Sequence, residues 1–94
     1  MTWSVSLEDE NRVEIESLGE EFLISSLSND NFKLIRYLDP YGDTIFNGLQ
    51  MSDLISDLEI VNELEPNNKL VDKIILLAKK CMEETHLYLV FYGD

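Results

Sequence analysis

The residue pattern predicts an α+β fold, with an antiparallel or mixed sheet of about four to five strands and two helices packed on one face, in the chain order β-β-β-β-α-α-β. Three observations predict it. Short stretches of period-two alternation occupy the N-terminal part of the chain. Two runs of helical periodicity follow back to back between residues 47 and 84. The closing segment, His86 to Tyr92, is apolar on both faces, which belongs inside a sheet rather than at its rim.

The first strand is expected over Met1 to Leu7, where Trp3, Val5 and Leu7 alternate with Thr2, Ser4 and Ser6. Glu8-Asp9-Glu10-Asn11 reads as a turn. Val13, Ile15 and Ser17 then alternate with Glu14 and Glu16, so a second strand completes a hairpin that Gly19 ends. The apolar run Phe22 to Leu27 is a third strand or a helical turn, closed by the turn cluster Ser28-Asn29-Asp30-Asn31. Phe32 to Leu38 reads as the fourth strand, with Phe32, Leu34, Arg36 and Leu38 opposite Lys33, Ile35 and Tyr37. Asp39-Pro40-Tyr41-Gly42 carries a type I turn signature. Proline pre-sets φ, the aspartate can bond its own backbone, and glycine completes the turn.

Asn47 is placed to cap the first helix, with Gln50 reaching back in a capping box. Met51, Leu54, Ile55, Leu58 and Val61 form its apolar face. Ser52, Ser56, Glu59 and Glu63 lie opposite, Asp53 and Asp57 flank the stripe, and Leu49 and Ile60 fall near the polar side. Glu65-Pro66-Asn67-Asn68 ends this helix, and Asn68 is placed to cap the next. The second helix, Lys69 to Glu84, has a wide apolar stripe of Leu70, Val71, Ile74, Ile75, Leu77, Ala78, Cys81 and Met82, suited to packing on both a sheet and a neighbouring helix. Lys79–Glu83 and Lys80–Glu84 are spaced as i,i+4 ion pairs. In the last strand Leu87, Leu89 and Phe91 oppose His86, Tyr88, Val90 and Tyr92. Residues 1–94 read as a single domain.

The formal charge is −12, and it is unevenly spread. Residues 1–32 hold eight acids and one base, residues 37–68 hold seven acids and no base, and residues 69–94 hold four of each. Solubility is one use of such a charge. A basic partner is the other, because a negative field speeds encounter with a positive surface. Direct binding of nucleic acid or of an anionic membrane is disfavoured, since both need clustered Lys and Arg. No basic-then-apolar leader opens the chain and no apolar run approaches a membrane span, so a cytoplasmic setting is expected. The lone Cys81 reads as a small buried hydrophobe.

No constellation for catalysis is legible. His86 is the single histidine, and no Ser, Cys or Asp stands in a nucleophile motif. The glycines are too scattered for a phosphate loop. One Cys and one His make no zinc site, and the acidic turns lack calcium-loop spacing, so no cofactor or metal is expected. Two surfaces remain as candidates for partner binding. One is the turn with Asp39, Tyr41 and Asp43, whose turn chemistry alone also accounts for most of its residues. The other is the first helix with Asp53, Asp57, Glu59, Ile60 and Glu63, which also reads as a solvated acidic face. A small enzyme or ligand-binding protein would instead need a pocket converging on His86, Tyr88 or Tyr92.

Asp39-Pro40-Tyr41-Gly42-Asp43-Thr44-Ile45-Phe46-Asn47 through Gln50, with the ending His86-Leu87-Tyr88-Leu89-Val90-Phe91-Tyr92-Gly93-Asp94, resembles a group of small uncharacterised bacterial proteins. The general type (short, acidic, α+β, without a catalytic set) is also similar to toxin-immunity proteins. That likeness implies an inhibitor that neutralises a bacterial toxin, such as a nuclease, by covering its basic active site. A nucleic-acid-mimicking or anti-defence inhibitor, and a non-catalytic subunit of a larger assembly, are the alternatives.

Overall fold

The computed structural model describes residues 2–26 and 30–93. Its strands are β1 (Thr2–Asp9), β2 (Glu14–Ser17), β3 (Phe22–Leu23), β4 (Asp43–Asn47) and β5 (Leu87–Gly93). The helices are α1 (Met51–Leu64) and α2 (Leu70–Glu83), and 3-10 turns occupy Ile35–Tyr37 and Gly48–Gln50. Every strand pairing is antiparallel, the sheet order is β2-β1-β5-β4, and β3 pairs with the start of β1. The α+β class and the element order are those expected.

β5 lies between β1 and β4, where its two apolar faces have neighbours on either side. Val5 faces Phe91, Leu7 faces Leu89, and Phe46 faces Leu89 from the other side. These residues, with Trp3 and Leu87, form the inner sheet face of the core. Met51, Leu54, Leu58 and Val61 of α1 and Val71, Ile74, Leu77, Ala78 and Cys81 of α2 cover it. Phe46 meets Phe91 edge to face, with ring centroids 5.8 Å apart, a favoured aromatic geometry. Burial pushes the Cys81 thiol up, as expected of a cysteine serving as a core hydrophobe. Period two places Ser4, Ser6, Glu8, Ile45, Tyr88, Val90 and Tyr92 on the opposite sheet face.

Several local expectations are corrected. Phe32–Leu38 is not a strand, and the fourth strand is Asp43–Asn47. In the former, Phe32, Ile35 and Leu38 are buried, a spacing of three that suits a 3-10 turn. The N–H groups of Lys33, Leu34 and Ile35 donate to Asp57, and those of Tyr37 and Leu38 to the Leu34 and Ile35 carbonyls, so these groups need no strand ladder. In the latter, Phe46 enters the core while Ile45 is exposed. In β2 the alternation is broken: Leu7 pairs with Glu16 and Glu8 with Glu14, so Ile15 is the extra residue of a bulge. Val13 and Ile15 are therefore exposed, and Leu18 is the buried residue of this segment. The third strand is reduced to Phe22–Leu23. Leu27, Ser28 and Asn29, at its expected end and in the turn cluster, lie outside the described residues; Asp30 and Asn31 do form a turn.

The capping box is present, with the Asn47 N–H donating to Gln50 Oε1 at 2.9 Å and the Gln50 N–H to Asn47 Oδ1 at 3.2 Å. It closes a 3-10 turn that leads into α1. Asn68 does not cap α2 by its side chain; it donates instead to the Leu23 carbonyl at 2.9 Å. Lys80 bonds Glu16 of β2 rather than its expected helical neighbour Glu84, because the sheet rim lies within its reach.

Candidate protein-binding surface

The Asp39–Asp43 turn is fixed at several points. Asp39 Oδ1 accepts from the Tyr41 N–H at 2.9 Å, and the Gly42 N–H donates to the Asp39 carbonyl at 3.4 Å. Thr44 Oγ1 accepts from the Asp39 N–H at 3.2 Å. The Trp3 indole Nε1–H donates to the Asp39 carbonyl at 3.0 Å, and the Gly93 N–H to the Gly42 carbonyl at 2.9 Å. Gly93 has no room for a side chain: a Cβ there would lie 2.4 Å from the Asp39 carbonyl oxygen. The turn is thus seated on the end of β5. On this base Asp39 and Asp43 are exposed, and Tyr41 is 83% exposed.

On α1 the candidates separate. Glu59 and Glu63 are exposed on its solvent side, and Ile60 is partly buried against the core. Asp53 is exposed, and its Oδ1 lies 3.5 Å from Lys33 Nζ. Asp57 is a correction. Its spacing puts it at the rim of the apolar stripe, where a partner contact is expected, but it is fully buried. Its carboxylate accepts the N–H groups of Lys33 (2.9 Å), Leu34 (2.7 Å) and Ile35 (3.0 Å). The donors at the start of the 3-10 turn converge on one carboxylate, so Asp57 holds the connection in place and is out of a partner's reach.

The folded chain also redistributes charge. Lys73 lies 3.4 Å from Glu20, and Lys80 bonds Glu16, so the lysines of α2 partly offset the acids near the N-terminus. Arg12 Nε donates to Glu8 Oε1 at 2.8 Å. Among the described residues no salt bridge reaches Asp39, Asp43, Glu59 or Glu63.

Two further arrangements concern the outer face of the sheet and its other end, and the first is not legible in the sequence. On the outer sheet face the Tyr92 hydroxyl donates to Glu8 Oε2, Arg12 donates to the same hydroxyl at 3.0 Å, and the guanidinium lies over the Tyr92 ring at 5.9 Å. Burial raises the Glu8 carboxyl, but the bonds from Tyr92 and Arg12 outweigh it and hold the group below its usual range. Arg12 adopts φ 64, rarely taken by a residue with a side chain, which no sequence pattern announces. The second is a pocket at His86 and Tyr88, of the kind that the reading as a small enzyme or ligand-binding protein requires: an open cleft of about 430 Å³ where the Gly48–Gln50 turn, the end of α2 and the start of β5 meet. Leu49, Met82, His86 and Tyr88 line it. His86 Nδ1 is 3.4 Å from Glu10 Oε2, and among the described residues no group of three or more His, Cys, Asp or Glu converges as a metal site would.

No family model, no curated protein and no solved structure matches this chain. Among the described residues no helix is long and apolar enough to cross a membrane.

Proposed function

We propose that the protein acts by binding a basic protein, as a cytosolic inhibitor of the immunity type that covers the positive active site of a toxin such as a nuclease. One observation carries this reading: Tyr41 stands 83% exposed between two carboxylates that make no salt bridge among the described residues, on a turn anchored by Trp3 and Gly93. Tyrosine on a rigid support loses little entropy on binding and is enriched among the residues that dominate interface energies. The flanking acids add long-range attraction to a basic surface and so speed encounter. Glu59 and Glu63 of α1 are further exposed carboxylates that make no salt bridge among the described residues.

The test is to place a photo-crosslinking residue at position 41, recover the linked protein from the native host, and measure its association with purified chain. A stoichiometric basic protein is expected, and its toxicity on expression should be relieved by this chain. Combining Tyr41→Ala with Asp43→Lys should weaken binding roughly tenfold or more, and association should slow as salt rises. Absence of any stoichiometric partner, or a partner indifferent to those substitutions, would refute the reading.

A further inference from the structure

We propose that the cleft between the Gly48–Gln50 turn, the end of α2 and the start of β5 is a second docking site, and that it takes a segment of a basic protein in which an apolar side chain stands beside lysines or arginines. The inference rests on the reading that the partner is a basic protein, but on separate residues. The Asp39–Asp43 turn and the Gly48–Gln50 turn lie at opposite ends of β4.

Leu49 is 94% exposed. Isolated exposed leucines are common on protein surfaces, but this one is neither isolated nor loose. The paired Asn47–Gln50 bonds set the turn that carries it. Gly48 seats that turn on α2, where a Cβ would lie 3.3 Å from the Cys81 carbonyl oxygen. Met82, 47% exposed, and the half-buried Tyr88 share the same concavity. A concave apolar site with an aromatic wall is what a projecting apolar anchor needs.

The rim selects the occupant. Glu83 and Glu84 are exposed along it, and Glu10 stands beside His86. Lys80, one turn back on α2, is bonded to Glu16 and lies near Glu83 and Glu84, so it offsets part of the rim's charge without bonding to it. An apolar floor with a carboxylate rim favours an apolar side chain flanked by cations and repels an acidic segment. A second copy of this chain is a poor occupant, because each copy carries −12.

The test uses a short fluorescein-labelled amphipathic peptide of leucine and lysine, titrated by anisotropy and followed by amide NMR of the full chain. The expected result is shifts centred on Gly48, Leu49, Met82, Glu84, His86 and Tyr88. Leu49→Asp should weaken binding roughly tenfold. The same change at Leu76, 62% exposed on α2 and outside the cleft, should alter it less than about twofold. A peptide of lysine alone should bind roughly tenfold more weakly than the amphipathic one. Equal binding of the two peptides, no binding, or equal effects of Leu49→Asp and Leu76→Asp would overturn the proposal. So would a dimer dissolved by Leu49→Asp, which would assign the cleft to a second copy. If the shifts centre on Tyr41 instead, this inference fails while the reading of the turn stands. If the crosslinked host partner is lost with Tyr41→Ala and Asp43→Lys but not with Leu49→Asp, the same conclusion follows.

Discussion

Asp57 shows how one side chain changes the meaning of a segment far from it in sequence. Its position beside the apolar stripe of α1 is compatible with a surface carboxylate, yet three consecutive backbone N–H groups from residues 33–35 converge on it in a fully buried site. Replacing it by alanine orphans those donors together. Asp57→Ala is expected to cost about 3–5 kcal/mol, a large part of the roughly 5–15 kcal/mol available to a domain. Asp57→Asn keeps one acceptor oxygen and should cost about 1–3 kcal/mol. Urea unfolding of the two variants checks both values. A loss below about 1 kcal/mol for the alanine variant would mean that water or other groups satisfy those donors. The same residue explains why the fourth strand lies elsewhere than the alternation over 32–38 suggests. A strand there presumes that its N–H groups seek a neighbouring strand, and here they have a carboxylate.

At the scale of elements, the turn on the end of β5 is the contact that positions Tyr41. It joins β1 through Trp3, β4 through Thr44 and β5 through Gly93. Glycine at 93 is required by space, since an added Cβ would lie 2.4 Å from the Asp39 oxygen and 2.5 Å from the Pro40 carbonyl carbon. Those neighbours are backbone and cannot rotate aside. Gly93→Ala should therefore destabilise the fold by about 1–3 kcal/mol and shift the Trp3 indole N–H resonance as the turn lifts. It should also weaken partner binding more than its loss of stability explains, because Tyr41 loses its support. An unchanged indole resonance would show that the turn tolerates the methyl group without moving. Of this arrangement the turn chemistry and the capping box are legible in the sequence, because both depend on residues a few positions apart. The bulge at Ile15 is not, because a bulge is defined by the partner strand's register.

For the whole molecule the charge of −12 opposes compaction at neutral pH, through repulsion among its many carboxylates. Two half- or fully-buried carboxylates work the other way. Burial raises the Glu65 carboxyl, but bonds from Ser26, Ser25 and Asn68 outweigh it, so Glu65, like Glu8, lies below its ordinary value of 4.5. A carboxyl depressed in the folded state binds its proton less readily there than in the unfolded chain. Its stabilisation is therefore full above the unfolded value and is lost as pH falls through the folded one. General repulsion fades in the same range, near the isoelectric point of about 4.2, so the total stability mixes the two trends. The difference between the native chain and Glu65→Gln separates them. That difference should favour the native chain at neutral pH and shrink as pH drops below 4.5. A difference independent of pH would remove Glu65 from this account. The residue ties the segment after β3 to the α1–α2 junction, since the Ser25 and Ser26 N–H groups both donate to it.

The sequence by itself determined the α+β class, the two amphipathic helices, the first hairpin and the central place of the last strand. These follow from the spacing of apolar residues, because burying apolar surface is the main force that drives folding. It also determined the excess of acid and the absence of any legible catalytic motif. Only the tertiary structure decided which of the described acids meet a cation and which do not. Asp57 went inside to satisfy a distant turn, Glu16 and Glu20 found lysines on α2, and Asp39 and Asp43 were left flanking an exposed tyrosine. The reason is physical: hydrogen bonds and ion pairs act over a few ångströms between residues tens of positions apart, and local periodicity carries no record of who those neighbours are.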